Sequence, residues 1–349
     1  MTVAAHGGDI YQNQITYDFS VNTNPLPLPE ILQKRMAEAA VHSNHYPQYD
    51  NVLLRERIAA LYGFSAEEIV CGNGASELFV AIVHALRPKR VGILAPSFSG
   101  YAWAAQTVGA EVCSIPLQEE NNFAIDMAQM ESLCRQLDGI GLLFLANPAN
   151  PVGNKMEASL LETLLDVCEK RHITVVLDEC FIAFTGTEGY ASWIRKYPYL
   201  IVVRAYTKIY AIPGIRLGYG ITSNLELLEK MERNRQPWSV SSVAQAAGCA
   251  ALKEMKRWQE MRKWLETERA WLEESLTRIG VEWFPSKVNY LLLKSPYPLF
   301  SLLLQKNILI RDCSNYEGLE KGYYRIAVKQ RTDNEKLLKA LEYIYEGGE

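Results

Sequence analysis

Between about residue 52 and residue 220 the chain alternates short β-rich apolar runs with stretches of helical pattern. That alternation restricts the fold more than any other feature. The strand candidates are Glu68–Cys71, Arg90–Ala95, Glu111–Ile115, Gly141–Leu145, Thr174–Leu177, Leu200–Arg204 and Leu217–Ile221, with helical stretches such as Ser76–Leu86 and Ala158–Lys170 between them. The pattern predicts an α/β fold whose mostly parallel seven-stranded sheet is covered by helices on both faces. Ligands of such sheets bind beyond the carboxyl ends of the strands. Residues that directly follow a strand are therefore the first candidates for a site.

Beyond residue 222 the texture changes. A long helical region, Leu225–Leu276, carries charge pairs at helical spacing. Short strands at Asn289–Leu293 and Tyr323–Val328 and a final helix near Thr332–Tyr345 follow it. This predicts a second, smaller α+β domain. The expected division is an N-terminal arm over 1–45, a large domain over 46–235 and a small domain over 236–349. The arm lacks a core of its own and is expected to pack against the small domain or a partner subunit.

Composition narrows the function classes. The 349 residues are 48% hydrophobic, enough for a large buried core, and two domains suit that length. A formal net charge of −4 argues against a nucleic-acid partner, which needs a basic face. The apolar runs are strand-length, so no membrane span is expected. The start, MTVAAHGGDIYQNQ, shows no basic segment followed by an apolar core. Seven cysteines occur with no C-x-x-C pair, which predicts reduced thiols in a cytoplasmic protein and no metal site.

Five strand ends carry chemistry. Lys208 and Thr207 follow the apolar run ending at Val203, and Arg216 lies eight residues further on, able to return to the same place and grip a phosphate with its planar fork. Asp178 closes the run Ile173–Leu177; it reads either as a functional carboxylate or as a helix N-cap. Gly74, Ala75 and Ser76 form a Gly-rich turn from strand to helix, either an anion cradle or a turn that needs glycine for its geometry. Asn150, before Pro151, offers an amide after the fourth strand or marks a plain turn. Tyr101, and with less support Phe98, follows the second strand as a ring that could stack on a flat ligand or simply fill the core. Pyridoxal phosphate (PLP) requires a lysine for its aldehyde, an acid for its pyridine nitrogen, a phosphate cradle, a ring stacker and a donor to its phenolic oxygen. These five places supply one of each.

The same residues resemble the class I/II aminotransferase group of fold-type-I PLP enzymes over essentially the whole chain, including the spacing of 28 residues from Asn150 to Asp178 and of 8 from Lys208 to Arg216. The resemblance implies a homodimer with sites at the subunit boundary. His45-Tyr46-Pro47 is similar to the segment whose tyrosine reaches the partner's cofactor phosphate, so Tyr46 would act in trans. Arg325, in Tyr-Tyr-Arg-Ile-Ala-Val328, is similar to the arginine that grips a substrate α-carboxylate.

Two branches share these features, the histidinol-phosphate aminotransferases and the threonine-phosphate decarboxylases of cobalamin biosynthesis. The decarboxylase branch matches further segments: His6-Gly-Gly-Asp-Ile10, Asp18-Phe-Ser-Val-Asn-Thr-Asn-Pro25, Gln236-Pro-Trp-Ser-Val240 and Ile310-Arg-Asp-Cys-Ser-Asn-Tyr-Glu-Gly-Leu319. Phe181 points the same way, since many aminotransferases carry tyrosine there. This implies decarboxylation of L-threonine O-3-phosphate, with Arg311 and His6 at the phosphate, Arg325 at the carboxylate and Asn22 as a polar contact. O-Phosphoserine and histidinol phosphate stay open as substrates. A PLP-binding protein without turnover would have no use for a carboxylate clamp. Ala205 departs from the pattern where a phosphate-binding serine is common, and Ser241 stands where related chains often carry Asn.

Overall fold

The computed structural model of the chain describes residues 7–11 and 13–347. A short strand β1 (Tyr17–Asp18) precedes the seven strands β2 (Ile69–Gly72), β3 (Arg90–Ala95), β4 (Glu111–Pro116), β5 (Leu142–Ala146), β6 (Thr174–Asp178), β7 (Leu200–Ala205) and β8 (Gly218–Ile221). These seven form one sheet in the order β2-β8-β7-β6-β5-β3-β4, in which β8 runs antiparallel to both neighbours. Each expected strand is present, most of them within one residue of the expected bounds.

The central strands read as unbroken apolar runs because both faces of the sheet are covered. Alternate side chains point to opposite faces. Val91, Ile93, Phe144, Val176 and Val203 pack with Leu78, Phe79 and Ile82 of the helix Ala75–Leu86. Leu143, Leu145, Val175, Leu177 and Val202 belong to the core on the other face, with Leu161, Leu164 and Leu165 of the helix Ala158–Lys170.

The smaller sheet comprises β9 (Glu282–Trp283), β10 (Tyr290–Lys294), β12 (Arg311–Asp312) and β13 (Tyr323–Ala327) in the antiparallel order β12-β13-β10-β9, and β11 (Ile308–Leu309) pairs in parallel with β1. The arm thus joins the edge of the smaller unit, and Ala327 N–H donates to Phe19 O at 2.8 Å. It also reaches the helical turn that follows β7: Asn24 N–H donates to Lys208 O at 2.9 Å. No helix among the described residues is long and apolar enough to cross a membrane.

The expected long helical region, Leu225–Leu276, is three helices: Leu225–Arg233, Ser242–Ala251 and Met255–Ile279. Pro237 cannot donate a helical hydrogen bond and restricts the residue before it. Trp238 takes a left-handed φ of 55°, and Ser241 Oγ restarts the chain by accepting from Ala244 N–H at 3.1 Å. Ser241, one of the two departures from the family pattern, is thus a helix cap. A turn at residues 252–254 makes the second break.

Behind the sheet's active edge lies a buried ion pair. Glu179 directly follows β6, and its carboxylate accepts from Arg204 Nε at 2.9 Å and from Tyr190 N–H at 2.6 Å. Arg204 also donates to Glu188 O at 2.6 Å, so it ties the 179–190 loop to β7. Removing one partner strands a buried charge, which costs about 3–5 kcal/mol. Arg204→Ala is therefore expected to lower unfolding stability by about that amount in a denaturant titration.

Candidate active site

The register of the large sheet sets the site. Ala146 pairs with Asp178, and Asp178 pairs with Val203, so β5, β6 and β7 end side by side. The residues just after these ends, Asn150, Asp178 and Lys208, line one cavity of about 330 Å³. Antiparallel β8 returns Arg216 to the same edge, since Ala205 pairs with Gly218. β2 brings in Ala75 and Ser76, because Gly72 also pairs with Gly218. Thr207 lines the cavity from the single helical turn Tyr206–Ile209.

Gly74 and Arg216 form a close contact. A Cβ on Gly74 would come within 2.5 Å of Arg216 Nη2, so only glycine lets the guanidinium lie against the start of the helix Ala75–Leu86. Gly74 also adopts φ 79°, which other residues avoid. Arg216 is held by donation to Pro213 O at 3.0 Å. A fork beside free backbone N–H groups at a helix N-terminus is suited to a phosphate.

Asp178 lines the cavity and is not a helix N-cap, since the next helical turn, Ile182–Phe184, is capped at Phe181. Its Oδ1 accepts from Cys180 N–H at 2.9 Å, a local turn bond, while Oδ2 accepts from Tyr101 OH at 2.5 Å. Burial raises its pKa above the usual carboxylate value, and the hydrogen bonds and Lys208 oppose that rise.

Tyr101 requires a correction. It is not a ring stacker: its side chain is fully buried, stacks on Phe144 at 4.9 Å and 7°, and stands behind Asp178 outside the cavity wall. Tyr101 lies on the short helix Gly100–Gln106, whose buried face packs on the sheet, whereas Phe98 precedes that helix and lines the cavity. Burial, then the Asp178 charge, pushes the Tyr101 phenol well above its usual range, so it remains a donor.

The smaller sheet contributes two arginines. Arg311 and Arg325 are directly opposed across β12 and β13, which puts both side chains on one face. Both are buried and both line the cavity. Arg325 donates through Nη1 to Asn150 Oδ1 at 2.5 Å and through Nη2 to Ser20 O at 2.9 Å, and it lies over the Tyr290 ring. Arg311 donates to Asn315 Oδ1 at 2.7 Å and lies over the Tyr316 ring at 5.3 Å. Asn22 is buried and lines the cavity. His6 lies outside the described residues. Tyr46 is 80% exposed against Trp238 and does not line the cavity within one chain.

Gly7, Ser20, Val21, Cys180 and Tyr316 also line the cavity and were not singled out from sequence. Each lies in or beside a quoted segment, but none has side-chain chemistry that marks it in isolation.

Two buried donors at the cavity, Asn22 Nδ2 and Arg325 Nε, have no partner among the described residues. Buried donors are normally paired. Idle donors together with Lys208, Arg216, Arg311 and Arg325 fit an anionic ligand, and a lysine beside a carboxylate fits an aldehyde-bearing pyridine. Burial, then the Arg325 cation, lowers the pKa of Lys208 to about 8.

A seven-stranded α/β sheet with a lysine at its carboxyl edge and a phosphate cradle defines the fold class of PLP-dependent transferases. The pattern of the family described as "Aminotransferase class I and II" matches residues 14–344, and the chain belongs to that family. It is 34% identical to a threonine-phosphate decarboxylase of Salmonella typhimurium (strain LT2), over 99% of this chain and 97% of that one. Among solved structures, a histidinol-phosphate aminotransferase from Clostridium acetobutylicum superposes with TM-score 0.88 at 31% identity, covering 95% of this chain and 99% of that one. An L-threonine-O-3-phosphate decarboxylase from Porphyromonas gingivalis superposes with TM-score 0.84 at 27% identity, covering 95% and 100%. The chain is a PLP-dependent enzyme, the cofactor that the five strand ends pointed to.

Two outcomes follow from this geometry. The neutral amine of Lys208 is the nucleophile toward the cofactor aldehyde, and its fraction grows as pH rises through its pKa. Reconstitution of cofactor-free protein, followed by absorbance, should therefore accelerate with a midpoint near pH 8 rather than at the usual lysine value. Tyr101→Phe deletes a hydrogen bond to a buried carboxylate and should lower kcat by roughly tenfold or more, with an altered cofactor absorbance spectrum.

Proposed function

We propose that this chain decarboxylates L-threonine O-3-phosphate to (R)-1-aminopropan-2-yl phosphate and CO₂, a step of cobalamin biosynthesis, as a cytoplasmic homodimer. The observation that carries the reading is the pair of buried guanidinium groups, Arg311 and Arg325, set opposite each other at one cavity. A substrate bearing both a phosphate and a carboxylate can use both forks. Histidinol phosphate has no carboxylate, so in an aminotransferase the second fork would serve the 2-oxoglutarate partner in a separate half-reaction, whereas phosphothreonine fills both forks at once. The identity to the Salmonella decarboxylase along nearly the full length supports the same reading.

Gly74, Ala75, Ser76, Thr207 and Arg216 would hold the cofactor phosphate, with Tyr46 supplied across the subunit boundary. Asn150 would donate to the phenolic oxygen, Asp178 would pair with the pyridine nitrogen, and Phe98, which lines the cavity, would stack on the ring. When bound, the cofactor supplies an electron sink for the pair left at Cα as a bond there breaks.

The remaining work falls to the chain's own groups. Arg325 would anchor the carboxylate; Asn150 and Ser20 hold its fork in place. Arg311 would take the substrate phosphate, with His6 of the arm, and Asn22 offers its idle Nδ2. Fixing the substrate at both ends selects which Cα bond faces the electron sink. The Cα–carboxylate bond breaks, its electron pair stays at Cα, and CO₂ leaves. Lys208, with a pKa of about 8, can hold a proton at neutral pH and deliver it to Cα.

Purified enzyme incubated with O-phospho-L-threonine and no keto acid is expected to release CO₂ and form aminopropanol phosphate. Absence of CO₂, with amino-group exchange between histidinol phosphate and 2-oxoglutarate giving glutamate, would overturn the decarboxylase reading in favour of the aminotransferase.

A further inference from the structure

Ser20 is almost completely buried, and all of its polar groups are engaged at the cavity wall. Its backbone N–H donates to Asp18 Oδ1 at 2.8 Å, and its hydroxyl donates to the same oxygen at 2.6 Å. Because the Ser20 O–H is directed at the Asp18 carboxyl oxygen, the Oγ lone pairs are left to accept. They accept from Gly8 N–H at 2.8 Å, twelve residues back in the arm. The Ser20 carbonyl accepts from Arg325 Nη2 at 2.9 Å. Hydrogen bonds to an ionised group are the stronger kind, and chains of them polarise one another.

The arm is shaped for this contact. A Cβ on Gly7 would collide with the Ser20 carbonyl, and Gly8 adopts φ 87°. Gly7, Ser20 and Arg311 line both the site cavity and an adjoining cavity of about 270 Å³. Gly7 therefore forms part of the wall between an outer chamber and the inner site, and Gly8 lines the outer chamber beside it. A single residue joins that wall to the fork of Arg325.

We propose that Ser20 is a positioning residue: its side chain, polarised by Asp18, latches the arm over the cavity, while its carbonyl fixes Arg325, so that the two recognition ends of the site are held at one spacing. The consequence for substrate affinity rests on the proposed phosphorylated amino-acid substrate; the latch itself does not. Ser20→Ala removes only the hydroxyl and keeps the carbonyl that Arg325 uses.

The test uses the holoenzyme. Hydrogen–deuterium exchange over residues 7–11, without substrate, should be about threefold to tenfold faster in Ser20→Ala, as expected for loss of one part-buried hydrogen bond. With O-phospho-L-threonine, KM should rise roughly tenfold and outweigh any fall in kcat. A chain lacking residues 2–8 loses His6 as well and starts from a higher KM, but Ser20→Ala should raise that KM no further, because the Gly8 to Ser20 bond is already gone. A purely structural serine would lower the unfolding midpoint equally with and without the arm and leave KM unchanged, and that result overturns the proposal. Unchanged exchange over residues 7–11 overturns it as well. If the wild-type enzyme fails to turn over O-phospho-L-threonine, the substrate reading falls, and the exchange result alone decides the latch.

Discussion

The hydrogen-bond register of β5, β6 and β7 is the constraint on which the site depends. Ala146, Asp178 and Val203 lie in a row, so three loops leave the sheet from one line. A slip of one residue would turn each side chain to the opposite face. The register is held by apolar side chains buried on both faces, from Phe144 and Val176 on one side to Leu145 and Leu177 on the other. Antiparallel β8 then adds Arg216 and leaves room for the start of the helix Ala75–Leu86, because a Cβ on Gly218 would come within 2.6 Å of Ala75 N.

Electrostatics give this edge its chemistry. The chain is acidic overall, with a net charge of −4, yet four cations converge on one cavity. Their cost is met in different ways. Arg325 and Arg311 each lie over a tyrosine ring and donate to an oxygen. Lys208 instead has a depressed pKa, since burial and Arg325 both disfavour its charge. Asp178 is turned the opposite way by burial, and Tyr101 and Cys180 hold it in position. Perturbed titratable groups gathered in one cavity are the mark of a functional site.

Much of this was legible in the chain because each requirement is local. A strand ending in Asp178, or a turn beginning at Gly74, carries its own signature of apolar run and special residue. The choice between Tyr101 and Phe98 was not local: both rings sit within a few residues after β3, and only the packing of the helix Gly100–Gln106 decides which one faces the ligand. Likewise charge pairs at helical spacing lie on both sides of the uncharged stretch 236–252, so the pattern joined across Pro237 what the backbone separates. Ser20 carried no signal, since a serine becomes informative only through what it touches.

By itself, the sequence determined the order and length of the strands, the fold class, and the residue types that a PLP site needs, because these follow from burial patterns and side-chain chemistry along the chain. Tertiary structure alone decided that Arg311 and Arg325 share one face, that Tyr101 stands behind Asp178, and that the arm returns from residue 8 to residue 20 over the cavity. Those contacts join residues far apart in the chain, and their partners are selected by packing geometry, which no local pattern encodes.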